Sequence, residues 1–273
     1  MRGSLGERIG EGAFSDVHVW APGQVVKLFK AGVSQRLSRH EARVTRAVFA
    51  AGAPAPEVLD EVTLEGRFGI VLSRLEGPTL MQLSRSGAMT PAQTGAILAS
   101  LYMSIHKTPP PQEVLFLREW LAALELSGGS VPKPIATGIL TLIERLRPGD
   151  GLCHADLHPG NVIMTADGPR LVDWTGAVRA PAAFDLACGH IILVEVAPEF
   201  IDDPQRPRAY NAAAQSEYAR LSGTSQVALM AAMEPYLPIA CVIQLLWGTQ
   251  GALRERLIRR IGAALPWAPP GSM

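Results

Sequence analysis

The chain has little cysteine: three residues in 273, Cys153, Cys188 and Cys241. None forms a Cys-x-x-Cys pair, which argues against a thiolate zinc cluster. It also has no excess of charge of either sign. Lys plus Arg is 25 and Asp plus Glu is 25, so no global field draws it to nucleic acid or to an anionic membrane. Its first residues lack an apolar stretch of signal-peptide length. With an odd cysteine count, that implies reduced thiols and a cytoplasmic protein. The most apolar segment, Val227 to Trp247, carries Glu234, Pro235 and Pro238, and so reads as a buried, broken helix rather than a membrane span. No repeat or low-complexity block is present, and 48% hydrophobic residues are enough to fill a core, which excludes a disordered class. The expected partners therefore include no nucleic acid and no membrane.

The pattern changes character near residue 75. Before it, Val17 to Trp20 and Gln24 to Phe29 flank the turn Ala21-Pro22-Gly23, and Val58 to Leu64 and Phe68 to Leu72 flank Glu65-Gly66, as two strand pairs. Between them Ser34 to Ala51 has helical character, stopped by Gly52 and Pro54. After Gly77-Pro78 the chain reads as mostly helical. Thr90-Pro91 is a helix start, with Ile97, Leu98, Leu101 and Ile105 at helical spacing before a triple proline. Further helices are predicted near 112–126, 135–147, 182–197, 207–221, 225–248 and 250–263. One hairpin interrupts them, Asn161 to Thr165 and Arg170 to Trp174 around Ala166-Asp167-Gly168. The expectation is an α+β, bilobal chain: a β-rich N-lobe with one helix over 1–75, a hinge near 73–78, and a helical C-lobe over 76–273, with the ligand cleft between them.

Three segments carry chemistry. In Ile9-Gly10-Glu11-Gly12-Ala13-Phe14-Ser15, two glycines let backbone approach a phosphate without Cβ interference. A β-like run follows instead of a helix, so the loop joins two strands and is not a dinucleotide fingerprint. Lys27 sits inside the apolar run Val25 to Phe29, placed either to reach solvent or to neutralise an anion in the cleft. Glu41, on the following helix, is placed either to hold it there or to face solvent as an ordinary helix glutamate. Lys30 is the alternative if the register is shifted. In Leu152-Cys153-His154-Ala155-Asp156-Leu157-His158-Pro159-Gly160-Asn161, Asp156 and Asn161 are five apart, and Asp173 follows twelve residues later. An aspartate beside an attacking hydroxyl orients it and accepts its proton. An asparagine oxygen is a hard, neutral ligand for magnesium, and a carboxylate at a strand end reaches a metal that bridges phosphates.

The strings HADLHPGN, LVDWTGA and PAAFDLA resemble the aminoglycoside phosphotransferase and choline kinase group of kinase-like enzymes, over about residues 8 to 190. The resemblance implies a protein-kinase-like fold and transfer of the γ-phosphoryl group of ATP or GTP, with Mg2+, to the hydroxyl of a small-molecule acceptor. It implies Asp156 as catalytic base and Asn161 and Asp173 as magnesium ligands. Lys27 would be the phosphate lysine with Glu41 as its partner, and Gly10, Gly12 and Ser15 would cover the phosphates. Ser73 and Leu75 would belong to a hinge that binds the nucleotide base, and Asp185 and His154 would brace the catalytic loop. Two departures point away from a protein kinase: His158 replaces a lysine, and only twelve residues separate Asp173 from Asp185. A catalytically silent nucleotide-binding module is the alternative reading. The acceptor stays open. Glu195, Glu199, Asp202 and Asp203 would line a pocket for polycations or form a solvated loop. Tyr210, Tyr218, Tyr236, Trp247 and Trp267 would cage a quaternary amine or sit in the core. The segment 225–248 suits the C-lobe core better than a dimer interface.

Overall fold

The computed structural model describes residues 5–124 and 131–265. Strands β1 (Arg8–Glu11), β2 (Ser15–Ala21), β3 (Gln24–Phe29), β4 (Val58–Leu64) and β5 (Arg67–Ser73) make one antiparallel sheet in the order β1-β2-β3-β5-β4. Its tight turns follow from local chemistry. Pro22-Gly23 joins β2 to β3, with Gly23 at φ 71°, the residue order a type II turn needs. Glu65 and Gly66, at φ 51° and 76°, make a hairpin turn with both central residues left-handed.

Helix α1 (Gln35–Ala50) starts at Ser34, whose side chain accepts the Arg36 N–H, and it buries Ser38, Glu41, Ala42, Val44, Thr45 and Val48. That spacing is one helical face. Ala42 packs with Phe29, Val58 and Ile70 of the sheet. A carboxylate on the same face, Glu41, cannot remain there without a partner, and this requirement shapes the cleft described below.

The remainder is mostly helical: α2 (Leu80–Arg85), α3 (Pro91–Lys107), α4 (Leu117–Ala123), α5 (Lys133–Arg145), α6 (Ala182–Ile191), α7 (Gln205–Ser222), α8 (Gln226–Met233), α9 (Leu237–Leu246) and α10 (Gly251–Ala264). Helix α3 begins as expected, with Pro91 in its first turn and a reciprocal Thr90–Gln93 capping box. It packs along α7 through Gly95, where a Cβ would stand 2.4 Å from that of Ala213, so only glycine permits the approach. Helix α2 was not expected from sequence, although Thr79 and Gln82 form a second capping box at its start.

Two predicted helices are interrupted. The segment 182–197 is α6 followed by a π-helical turn, Ile192–Val196, and a 3-10 turn, Ala197–Glu199. Pro198 has no N–H and its ring conflicts with the carbonyl four residues back, so regular helix ends before it. The segment 225–248 divides at Glu234–Tyr236 into α8 and α9, the break that Pro235 and Pro238 imply. By length and composition Gln226–Leu246 would cross a membrane, but 67% of its most apolar window is buried inside the protein. Nine consecutive residues of α9, Leu237 to Leu245, are buried. The predicted helix 112–126 is shorter, as α4; its last two residues and Trp267 lie outside the described residues.

Two small β elements complete the fold: β6 (Gly151–Cys153) pairs with β9 (Val178–Ala180), and β7 (Val162–Thr165) pairs with β8 (Gly168–Leu171). The hairpin is shorter than its sequence signature. Asn161 belongs to a 3-10 turn, and Asp173 lies beyond β8 with φ 66° and ψ 64°. That left-handed backbone leaves the extended path and ends the pairing.

Trp174, fully buried, follows Asp173; its Nε1–H donates to the Leu171 carbonyl at 2.8 Å and its ring meets His154 edge-on at 4.8 Å. Trp174→Ala is expected to destabilise the protein by about 3–5 kcal/mol in urea titration, the range for truncating a buried aromatic. A loss under about 1 kcal/mol would show that this ring does not anchor the segment.

Candidate active site

The floor of the site is the loop after β6. Cys153 ends the strand, and Ala155 then takes a left-handed conformation, φ 64°, which an alanine adopts only where its surroundings impose it. The imposing group is Asp185, fully buried in the first turn of α6. Its Oδ1 accepts the Ala155 N–H at 2.7 Å and its Oδ2 the His154 N–H at 3.1 Å. Oδ2 also lies 3.1 Å from His106 Nε2, and His106 Nδ1 lies 2.9 Å from the Tyr218 hydroxyl. A brace from α6 was expected; its extension to α3 and α7 through His106 and Tyr218 was not. No local motif marks His106, because its partner is 79 residues away.

His154 is scaffolding by its own hydrogen bonds. Nδ1 accepts the Asp156 N–H at 3.2 Å, so Nε2 carries the proton and donates to the Val172 carbonyl at 3.2 Å. Burial holds the ring neutral by pushing its pKa down. His158 uses Nδ1 to accept the Gly160 N–H, and its enclosed position pushes it down to about 4. Neither ring is a charged acid at neutral pH.

Asp156 projects from this loop half-buried. Its seat on the cleft floor and then the charge of Asp173 push its carboxyl up to about 8, which favours a proton-accepting role over that of a permanent anion. Asn161 Nδ2 donates to both the Asp156 backbone oxygen, at 2.9 Å, and Oδ2, at 3.0 Å. The amide nitrogen is thereby committed, and its oxygen is the atom left to face the cleft.

Across the cleft, strand alternation puts Lys27 on the face of Val25 and Phe29. Its Nζ lies 2.5 Å from Glu41 Oε1 and 3.2 Å from Asp173 Oδ1. Burial works against the ammonium, but Asp173 and Glu41 outweigh it and raise its pKa above the ordinary lysine range. Asp173 is held low in turn, Lys27 overcoming the opposing effect of burial. Thr175 completes the group. Its hydroxyl lies 2.7 Å from Glu41 Oε2 and 3.0 Å from Asp173 Oδ1. Sequence reasoning assigned it no role, though it stands in the string LVDWTGA. Thr175→Val, which keeps the shape and removes the hydroxyl, is expected to lower kcat/KM about 10-fold, the equivalent of one hydrogen bond to a charged group. Unchanged steady-state kinetics would show that the hydroxyl holds nothing the reaction needs.

Two adjoining cavities, each of about 320 Å³, meet at these residues. Gly12, Ser15, Lys27, Glu41, Asn161 and Asp173 line both. Gly10, Val25, Leu72, Ser73 and Leu75 line only the first. Phe14, Leu37, Asp156, His158, Gln244 and Trp247 line only the second. All ten residues expected to meet the nucleotide, the metal or the acceptor therefore border one continuous space.

Some expectations change in detail. Ser15 is not on the loop crest: it begins β2 opposite Phe29, is 5% exposed, and its carbonyl accepts the Gly12 N–H at 2.8 Å. Gly10 and Gly12 have no positive φ, so no special turn requires glycine there. Ser73 exchanges hydrogen bonds with Glu57, its Oγ accepting the Glu57 N–H and its own N–H donating to the Glu57 carbonyl. Lys30 points to Glu11, 3.7 Å away, and does not line the cleft. Glu195 is paired with Arg256 and Arg260 and Glu199 with Arg256, while Asp203 Oδ1 accepts the Gln205 N–H. The acidic cluster thus lines neither cavity. Tyr210, Tyr218 and Tyr236 are buried in the core. Among the described members of the suggested aromatic set, only Trp247 faces the cleft, with Phe14 edge-on at 6.1 Å between ring centroids.

The model of the phosphotransferase enzyme family matches residues 6–236. The chain belongs to that family. The match runs past residue 190, where the string resemblance ended, to the turn between α8 and α9. A phosphotransferase acting on hydroxyl groups is what the sequence led one to expect, and membership bears it out. No curated protein matches this phosphotransferase. Solved structures share its fold. An aminoglycoside-3'-phosphotransferase of type VIII is 20% identical, with 86% of this chain and 93% of that one covered and a TM-score of 0.53. An aminoglycoside phosphotransferase from Streptomyces rimosus is 19% identical, at 85% and 92% coverage and TM-score 0.55. A choline/ethanolamine kinase family protein from Mesorhizobium loti is 18% identical, at 96% and 87% coverage and TM-score 0.58. The kinase-like α+β fold expected of the phosphotransferase is therefore shown.

Proposed function

We propose that this phosphotransferase moves the γ-phosphoryl group of ATP or GTP to a hydroxyl of a small molecule, with Asp156 as the catalytic base. The observation that carries the reading is the placement of the charged groups. Lys27, Glu41, Asn161 and Asp173 stand where the two cavities meet, and Asp156 stands just beyond, in the second. The first cavity, roofed by Gly10 and Gly12 and reaching Ser73 and Leu75, would hold the nucleotide; the second would hold the acceptor. Residues up to Leu75 then supply most of the nucleotide side, and the chain from residue 76 onward the catalytic loop. A similar structure, of the Streptomyces rimosus enzyme, holds ADP and streptomycin.

The donor set fits a hard divalent cation. Asn161 has only its amide oxygen uncommitted, and Asp173 has Oδ2 uncommitted beside its bonded Oδ1. When bound there, Mg2+ would neutralise phosphate oxygens. Lys27, held by Glu41, adds a fixed positive charge. Asp156 aligns the acceptor hydroxyl and takes its proton as the acceptor oxygen bonds to the γ-phosphorus. The bond from that phosphorus to the bridging oxygen breaks, and its electron pair leaves with the nucleoside diphosphate. Positioning and preset charge carry most of the acceleration in such transfers. Between Asp173 and Asp185 the chain holds only a 3-10 turn, Trp174–Gly176, then β9 and the start of α6. That supports a small acceptor over a peptide.

The test is coupled nucleoside-diphosphate release with magnesium across aminoglycosides, choline, sugars, amino-alcohols and macrolides. Turnover that the Asp156→Asn protein lacks supports the reading. Tight magnesium-nucleotide binding with no turnover on any hydroxyl acceptor would favour a silent nucleotide-binding module.

A further inference from the structure

The second cavity does not end at Asp156. Leu37, Thr175 and Trp247 line it, and they also line a larger cavity of about 570 Å³. One wall of that larger space is the first half of α1, where Arg36, Arg39 and Arg43 recur at three- and four-residue spacing and so share a face. The opposite side is apolar, with Leu115, Trp120 and Leu124. Among the described residues, no aspartate or glutamate lines it.

The counter-charges are elsewhere. Among the described residues, neither Arg36 nor Arg39 forms an ion pair, and Arg43 reaches only His40 Nδ1, at 3.4 Å. The next arginine along the helix, Arg46, is paired with Glu61 at 3.3 Å. Three guanidinium groups on one wall repel each other, and an anion among them relieves that repulsion. The carboxylates that a polycation would need are already engaged: Glu195 and Glu199 by Arg256 and Arg260, and Glu41 and Asp173 by Lys27. Among the described residues, Asp156 is the one carboxylate that lines the second cavity and not the first.

We propose that the acceptor is an anion with an apolar body. Its carboxylate, sulfonate or phosphate lies against Arg36, Arg39 and Arg43, its body packs on Trp120 and Trp247, and its hydroxyl points past Thr175 to Asp156. The transfer step rests on the function proposed above; the binding preference does not.

Two measurements separate them. The first is fluorescence titration with 8-anilinonaphthalene-1-sulfonate, an aryl anion, on the full chain and on an Arg36→Gln/Arg39→Gln variant. Both arginines are exposed, and retained magnesium-nucleotide binding shows that the variant is folded. Saturable binding is expected in the parent, weakened about tenfold in the variant, the scale of two charge-assisted contacts, and partly restored by Arg36→Lys/Arg39→Lys. No saturable binding, or binding equal in all three proteins, overturns the proposal. The second is turnover on 4-(hydroxymethyl)benzoate and the matched cation 4-(aminomethyl)benzyl alcohol. The benzoate is expected to have the higher kcat/KM by at least about tenfold, and the glutamine variant to lose that advantage through KM. Preference for the cation, or for kanamycin, overturns the anionic acceptor and leaves the kinase reading standing. Arginine-dependent binding of the sulfonate, with no turnover on any acceptor, supports the anion site and counts against the kinase reading.

Discussion

Asp156→Asn is expected to reduce turnover at least ~100-fold while nucleotide affinity stays close to that of the parent, the size of a general-base contribution. Asparagine is the informative replacement. Asn161 Nδ2 donates to Asp156 Oδ2 at 3.0 Å and to its backbone oxygen at 2.9 Å. An asparagine side chain still offers an oxygen for the first of these, and the second is untouched. The loop therefore keeps its form, and what disappears is the group proposed to take the hydroxyl proton. Turnover at saturating nucleotide, with nucleotide affinity measured separately, distinguishes this from a binding defect. A variant with near-parental turnover would remove Asp156 from the chemistry and move attention to His158, whose Nε2 lies 3.9 Å from its carboxylate.

Asp185→Ala is expected to cost about 3–5 kcal/mol of stability, the range for breaking a buried charged interaction from one side. The carboxylate is fully buried and serves three groups: the N–H of His154, the N–H of Ala155 and the ring of His106. Removing it leaves donors buried without acceptors, each worth about 1–3 kcal/mol. Against a typical total of about 5–15 kcal/mol the loss is large. Asp185→Asn should be nearly as harmful, because an amide nitrogen then meets a donor. Activity should fall at temperatures where the variant is still folded, since this clamp holds the N–H of Ala155, at φ 64°. Urea denaturation gives the first quantity and turnover below the melting transition the second. A stability change under about 1 kcal/mol would mean that the loop keeps its form without the clamp.

Much of the site was legible because its parts are local. Asp156 and Asn161 are held by hydrogen bonds five residues apart, and the hairpin of β7 and β8 carries the chain on to Asp173 through a few residues. For Lys27 and Glu41 the residues alone left a solvated reading open; the structure puts Lys27 on the face of Val25 and Phe29, and Glu41 with Ser38, Ala42, Thr45 and Val48 on the buried stripe of α1. The break in 225–248 was legible from proline alone. The shortened hairpin was not, because Asp173 takes a left-handed backbone where the pattern reads as strand.

The sequence by itself indicated two strand pairs around one helix, the later hairpin, most of the helices that follow, and ten residues that border the cleft. These depend on propensity, periodicity and spacing, which act over a few residues. The tertiary structure decided what those residues meet. Lys27 joins Asp173 across 146 residues, Thr175 joins Glu41 across 134, and His106 joins Asp185 across 79. It also decided that Glu195 is neutralised by α10 while Arg36, Arg39 and Arg43 face a cavity that, among the described residues, no carboxylate lines. Partner choice between charges is set by distance through folded space, and a neutral sum over the chain conceals how unevenly the two signs are placed.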